Sequence, residues 1–334
     1  MGYVCKFVII LVLLYVDVIY GIDNSLLEKF DRISRLDSIP SSSELAQRFQ
    51  EPCFSQMTNL NPQKSILKPL RDHARSHFDL TGQILMQESK TVPSVLVPDY
   101  RLHICTIPKV ACTELRGLVY RVSHTPRNQL STYMPNDLER FRYANPHFIM
   151  NNYFRDCSPE KRLDIMDDSL WLHIAYVRNP YTRLLSGYLQ KLVDPKDKVW
   201  TVVPNWKIGM SFDALVSILE EVKEKNRGKL RIDEHFMPQY LQCGFNVFNY
   251  DLIAKIEVFE ESVRCMAKNR GFDAALNFGW GPNGSYDMFH MPRPHPTGSS
   301  KKLSDYYTPE LQKRVYKLFE EDFVLFQYPY ELPE

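Results

Sequence analysis

The sequence predicts an α/β fold with a central parallel sheet, and three observations predict it. From about residue 98, strand-like apolar runs alternate with stretches of helical periodicity, the pattern of parallel strands joined by helices. Two segments, residues 104–113 and 174–188, each read as a short apolar strand, then a loop, then a helix. Each of those loops carries a cation beside small hydroxyl residues. One such loop suits one phosphate; two suit a ligand with two separated phosphates, which points to a nucleotide-type donor.

The 334 residues are 44% hydrophobic and 24% charged, the balance of a globular chain with one sizeable core. A net charge of +1 gives no bulk electrostatic reason for nucleic acid or an anionic membrane surface as partner. The N-terminus departs from this texture. Residues 7–16 are uninterruptedly apolar, with Lys6 before them and Val18-Ile19-Tyr20-Gly21 after Asp17. The run is short for a membrane span, which needs roughly 20 apolar residues. It reads as a signal peptide over 1–21 with a small residue, Gly21, at the cleavage point, or as a signal anchor through residues 7–20. Either sends the chain into the secretory pathway, to the Golgi lumen or membrane or to secretion.

Residues 22–97 read as a stem partly packed on the main domain. Leu26, Leu27, Phe30 and Ile33 suggest one short helix, then Pro40, Pro52, Pro62 and Pro69 break any long element. The main domain is expected over 98–334. Its first strand, 101–106, feeds a helix with Leu115, Leu118, Val119 and Val122 on one face. The strand at 172–177 feeds a second helix with Tyr181, Leu184, Leu185, Tyr188, Leu189 and Leu192 at helical spacing. A third helix begins near Ser211 and buries Phe212, Leu215, Val216, Leu219 and Val222. Residues 252–256 read as a strand, and the last helix opens with Thr308 as N-cap and Pro309 at its first position.

Outside the targeting segment lie six cysteines, Cys53, Cys105, Cys112, Cys157, Cys243 and Cys265, without CxxC or Cys/His spacing, so no structural zinc is expected. In an oxidising lumen Cys157 with Cys243, or Cys53 with either, are the pairings to consider, while Cys105 and Cys112 read as small packed residues. Asn283-Gly284-Ser285 is a glycosylation sequon in a Gly/Pro-rich loop.

The first loop is Ile107-Pro108-Lys109-Val110-Ala111-Cys112-Thr113. Pro108 directs the turn. The unpaired N–H groups at the start of the next helix, with the helix dipole, form an anion site. Lys109 adds a point charge and Thr113 a hydroxyl. The layout is like a P-loop, yet the Gly-x-x-x-x-Gly-Lys signature is absent, which disfavours a nucleoside triphosphate with magnesium. An ordinary βα turn with an exposed lysine is the plain alternative. In the second segment Arg178 directly follows the strand, and its planar fork suits a phosphate. Ser186 lies two turns along the helix, and Arg183 is either a second cation or a solvated one.

As a pair, Pro108-Lys109-Val110-Ala111-Cys112-Thr113 and Val177-Arg178-Asn179-Pro180-Tyr181-Thr182-Arg183-Leu184-Leu185-Ser186-Gly187-Tyr188 resemble the two phosphate motifs of the carbohydrate sulfotransferases, in the branch with the HNK-1 and chondroitin/dermatan 4-O-sulfotransferases. Asp233-Glu234-His235-Phe236-Met237-Pro238-Gln239, Pro294-His295-Pro296-Thr297-Gly298-Ser299-Ser300 and Tyr306-Tyr307-Thr308-Pro309-Glu310-Leu311 are similar to three later segments of that branch, in the same order. His-Phe stands where the branch has His-Trp, and Glu114 where relatives place another polar residue.

The resemblance implies a P-loop-like three-layer fold, 3′-phosphoadenosine 5′-phosphosulfate (PAPS) as donor, no metal, and a carbohydrate hydroxyl as acceptor. It places Pro108, Lys109, Val110, Ala111, Cys112 and Thr113 around the 5′-phosphosulfate, and Arg178 and Ser186 at the 3′-phosphate, with Ser299 and Lys301 in a loop over that end. In-line sulfuryl transfer rests on positioning and charge stabilisation, so Lys109 is the expected electrostatic catalyst. A sugar hydroxyl needs a general base. His235 is the first candidate and His147 the second, with Glu114, Glu234 and His173 behind them. Two rival readings are a non-catalytic carbohydrate-binding protein on the same fold and a P-loop-like kinase. The first would be expected to have lost Lys109 or Arg178, and both are present.

Overall fold

The computed structural model describes residues 94–125, 127–130, 170–193, 203–243, 245, 250–281, 284–291 and 297–333, with 157, 161, 165 and 168 as isolated positions. The targeting segment, residues 22–93 of the stem, His147, Asn283 and residues 294–296 lie outside the described residues.

Four strands form one sheet in the order β1 (Ser94–Val97), β2 (Leu102–Cys105), β3 (Leu172–Val177) and β4 (Leu252–Lys255). The β2–β3 and β3–β4 pairs are parallel; β1–β2 is antiparallel. Only a single 3-10 turn, Pro98–Tyr100, and Arg101 separate β1 from β2. A parallel pair needs a crossover of a dozen residues or more, so the sheet is mixed at this edge. β1 also moves the expected boundary at residue 97: Ser94-Val95-Leu96-Val97 is an apolar run buried along its length and belongs to the sheet, not to a stem. Every residue of β1, β2 and β3 is buried, as expected where both faces of a sheet are covered.

The helices are α1 (Cys112–His124), α2 (Pro180–Lys191), α3 (Phe212–Lys225), α4 (Phe259–Arg270), α5 (Leu303–Tyr306), α6 (Pro309–Leu318) and α7 (Glu320–Leu325). Their starts follow local chemistry. Asn179 Oδ1 accepts from the Tyr181 and Thr182 amides, with Pro180 at the first helical position. Ser211 and Thr308 cap α3 and α6 by accepting from Ala214 N and Leu311 N. Each such cap stabilises a helix by about 1 kcal/mol.

Two apolar cores hold these elements. One surrounds the sheet and takes Leu115, Leu118, Val119 and Val122 of α1 with Val263 and Met266 of α4. The other lies among α2, α3 and α6, where Tyr181, Leu184, Leu185 and Tyr188 meet Leu215, Val216, Leu219 and Val315. Each of these large apolar side chains is worth roughly 1.5–3 kcal/mol when buried.

The cysteine expectation is corrected. Cys105, at the end of β2, is bonded to Cys243, with Cα atoms 5.9 Å apart across 138 residues of sequence. The pairing of Cys157 with Cys243 is therefore excluded. Sequence does not show that the parallel sheet carries β2 beside the segment following residue 239, which brings these two sulfurs together. Cys265 is also disulfide-bonded, and Cys112 is a free thiol.

Candidate active site

In open parallel sheets, ligands bind beyond the carboxyl ends of the strands. Three such ends converge here. The loops after β2, β3 and β4 bring Lys109, Arg178 and Glu257 to one cleft of about 560 Å³. α1 adds Cys112, Thr113 and Glu114. α2 adds Thr182, Ser186, Gln190 and Lys191, and His235 and the 297–301 segment complete the walls.

The turn before α1 is built from unusual backbone. Lys109 and Ala111 lie in the left-handed region at φ 70° and 50°, a conformation that disfavours side chains. Val110 between them is fully buried, and its amide donates to Ile107 O at 3.2 Å. The expectation that the Val110 N–H faces a ligand is thereby corrected: that group closes the turn. Val110 and Pro108 do not line the cleft, whereas Ala111, Cys112 and Thr113 do. Ala111 occupies the N-cap of α1 and provides no side-chain cap. The first amides of α1 thus lack the partner that Asn179, Ser211 and Thr308 supply elsewhere, and an anion can take that place.

Lys109 lies in this turn with its Nζ donating to Gln190 Oε1. Burial pulls its pKa down to about 8, and the cations Lys191 and Arg178 push the same way against Cys112 and Glu114. Arg178 is fixed on several sides. Its Nε donates to Thr182 Oγ1 at 3.1 Å, one terminal nitrogen to Lys109 O at 3.1 Å, and the other to Ser299 Oγ at 3.0 Å. Its backbone exchanges hydrogen bonds with the Gln239 amide group at 2.9 Å each way. Ser186 Oγ meets Thr297 Oγ1 at 3.3 Å. Arg178 and Ser186 therefore both reach the 297–301 segment, and Ser299 and Lys301 line the cleft with them.

Arg183 is neither a cleft cation nor a solvated one. It is 2% exposed and donates to three backbone carbonyls: Pro108 at 3.1 Å, Met237 at 2.9 Å and Glu234 at 2.9 Å. It thus ties the lysine turn to the turn that carries His235. Burial lowers its pKa to about 10, which leaves it charged near neutrality.

His235 lies on that second turn. Asp233 Oδ1 accepts from the His235 amide at 3.0 Å and lies 2.7 Å from its Nδ1. Burial works against the Asp233 carboxylate, but the His235 contacts outweigh it and hold its pKa below the usual value. Of the other base candidates, Glu114 lines the cleft. Glu234 is held at its carbonyl by Arg183 and Gln242. His173 is buried near the start of β3, its Nδ1 3.0 Å from His103 Nδ1, while the cleft lies past the end of that strand. His147 lies outside the described residues.

Sequence reasoning missed Asp233, Gln190 and Thr182. For the last two a signal exists: Thr182, Ser186 and Gln190 recur every four residues and form a polar stripe on α2. Among the described residues no group of three or more His, Cys, Asp or Glu side chains is arranged to hold a metal ion, and no helix is long and apolar enough to cross a membrane.

The family model described as the Sulfotransferase family matches residues 93–329. Carbohydrate sulfotransferase 12 of Mus musculus is 22% identical over 253 residues, covering 67% of this chain and 57% of the relative. Carbohydrate sulfotransferase 12 of Xenopus laevis is 23% identical over 257 residues, with the same coverage. Carbohydrate sulfotransferase 11 of Rattus norvegicus is 22% identical over 260 residues, covering 70% of this chain and 66% of the relative. The chain thus spans a little over half the length of the first two of these relatives. No solved structure gives a significant match.

Proposed function

The chain belongs to the sulfotransferase family, and from that premise we propose that it transfers the sulfuryl group of PAPS to a hydroxyl of a carbohydrate. One observation carries the reading: the uncapped start of α1 with Lys109, and Arg178 with Ser186, face the same cleft from two different strand ends. A donor with phosphates at its 3′ and 5′ ends needs two such anchors.

The residues fit that donor. The amides and hydroxyl at Cys112 and Thr113 offer donors to the 5′-phosphate, and Arg178 with Ser186 and Ser299 offers donors to the 3′-phosphate. Ile256 and Phe259 give the cleft an apolar wall that suits a flat base. When bound, PAPS supplies an activated sulfuryl group. Lys109 sits where negative charge collects on the oxygen that leaves with the 5′-phosphate, and its ammonium lowers the cost of that charge in a partly buried site. His235 receives the proton of the acceptor hydroxyl as the new O–S bond forms and the old S–O bond breaks. No metal ion is assigned a role.

The compartment belongs to the same proposal. The Cys105–Cys243 bond suits an oxidising lumen, in keeping with a Golgi or secreted enzyme whose residues 7–20 act as signal or anchor and whose Asn283 carries a glycan.

The test is transfer of radiolabelled sulfate from PAPS to a panel of desulfated glycans, with binding of the product nucleotide PAP measured alongside. Labelled glycan on at least one acceptor is the expected result. PAP binding without any transfer would favour a non-catalytic carbohydrate-binding protein, and the absence of both binding and transfer would overturn the proposal.

A further inference from the structure

We infer that Asp233 is the positioning residue for the base, holding the His235 ring so that Nε2 rather than Nδ1 is offered to the acceptor hydroxyl. The inference rests on the sulfuryl-transfer reading above and adds a residue to it.

The geometry carries it. The 2.7 Å contact joins a carboxylate oxygen to Nδ1. An ionised carboxylate only accepts, so Nδ1 holds the hydrogen and the neutral ring keeps its lone pair on Nε2. The same oxygen accepts the His235 amide at 3.0 Å, so one atom fixes both the backbone turn and the ring. The turn itself is immobilised. Arg183 and Gln242 hold the Glu234 carbonyl at 2.9 and 3.0 Å and the Met237 carbonyl at 2.9 and 2.8 Å. Because Arg183 also holds Pro108 O, the ring is placed relative to the lysine turn and not merely to its own loop. A base oriented by a third group is the arrangement general-base catalysis requires.

The charged groups on the ring's own turn are Asp233 and Glu234, and Lys109, Glu114, Arg178, Lys191, Glu257 and Lys301 line the same cleft as the ring. Asp233 is the one bonded to the ring, so it decides which nitrogen is free and steadies the imidazolium formed as the proton arrives. The proton balance is simple: the acceptor hydroxyl loses it, Nε2 gains it, and Asp233 stays ionised throughout.

The test uses the full chain. Asp233→Ala is expected to lower kcat on the order of 10²-fold, within the range by which a positioned base contributes. PAP affinity and the KM for PAPS should stay within about twofold, because Asp233 touches neither phosphate anchor. Asp233→Asn keeps an oxygen for the amide and should recover part of the rate. Nitrogen NMR of the resting protein should show His235 protonated at Nδ1, a readout that needs neither turnover nor a variant. A resting ring protonated at Nε2 overturns the inference. So does an Asp233→Ala enzyme with kcat within twofold of the parent while His235→Ala is inactive. Failure of the parent chain to sulfate any glycan would count against the proposed reaction, and the NMR result would still decide the role of Asp233.

Discussion

At the scale of single residues, Lys109 gathers the most consequences. Burial sets its pKa near 8, so its ammonium is lost as the pH rises through that value. An anionic nucleotide favours the charged form, so binding above pH 8 takes up a proton. PAP affinity should therefore decline as the pH rises above 8, levelling off once the modest contribution of the Lys109 charge is lost. Calorimetry across pH should show this slope in the parent and a flat profile in Lys109→Ala. That variant should also lose sulfate transfer by on the order of 10²–10³-fold, as removal of one charge-stabilising donor does, while binding PAP only modestly less tightly. Unchanged turnover would remove Lys109 from the chemistry. Lys109, Arg178 and Ser186 were legible in the sequence because each follows an apolar strand at a fixed offset. Arg183 was not, because nothing in its neighbours tells a solvated guanidinium from one that collects three carbonyls contributed by distant segments.

At the scale of elements, α2 does two jobs with two faces. Tyr181, Leu184, Leu185 and Tyr188 enter the helical core, while Thr182, Ser186 and Gln190 line the cleft. The apolar face was plain from periodicity, and the Thr308 cap from residue type. On the polar face only Ser186 was read as a site residue; Thr182 and Gln190 were hidden because a polar stripe on a helix usually faces water. Gly187 marks a third contact. A Cβ there would lie 3.0 Å from Phe236 Cε1 and 3.2 Å from His235 O. Phe236 is fully buried, so its ring has little room to give. Gly187→Ala should displace the His235 turn, lowering kcat by about tenfold, the cost of roughly 1.4 kcal/mol of misplacement. PAP binding should be nearly unchanged, and a variant with parental kcat would show that the turn can shift freely.

At the scale of the whole molecule, the sheet's parallel pairs were readable from the alternation of apolar runs and helices, but its strand order and antiparallel edge were not. β1 ended the segment read as stem, and only its pairing with β2 assigns it to the domain. The Cys105–Cys243 bond was invisible for the same reason that makes it useful: it spans 138 residues. It joins the strand leading to the lysine turn with the segment beyond the His235 turn. Replacing both cysteines by serine should destabilise the fold by about 2–4 kcal/mol, or roughly 4–16 °C in Tm for a domain of this size. Thermal unfolding of the double variant checks this, and an unchanged Tm would refute it. The left-handed turn has an opposite consequence for stability. A glycine at 109 would accept φ 70° without strain and would remove a cation crowded by Arg178 and Lys191. Lys109→Gly should therefore melt a few °C higher, about 1 kcal/mol net after the extra freedom of glycine in the unfolded chain. Directed evolution for heat tolerance alone would drift toward that glycine, and the survivors would be robust proteins that had stopped working.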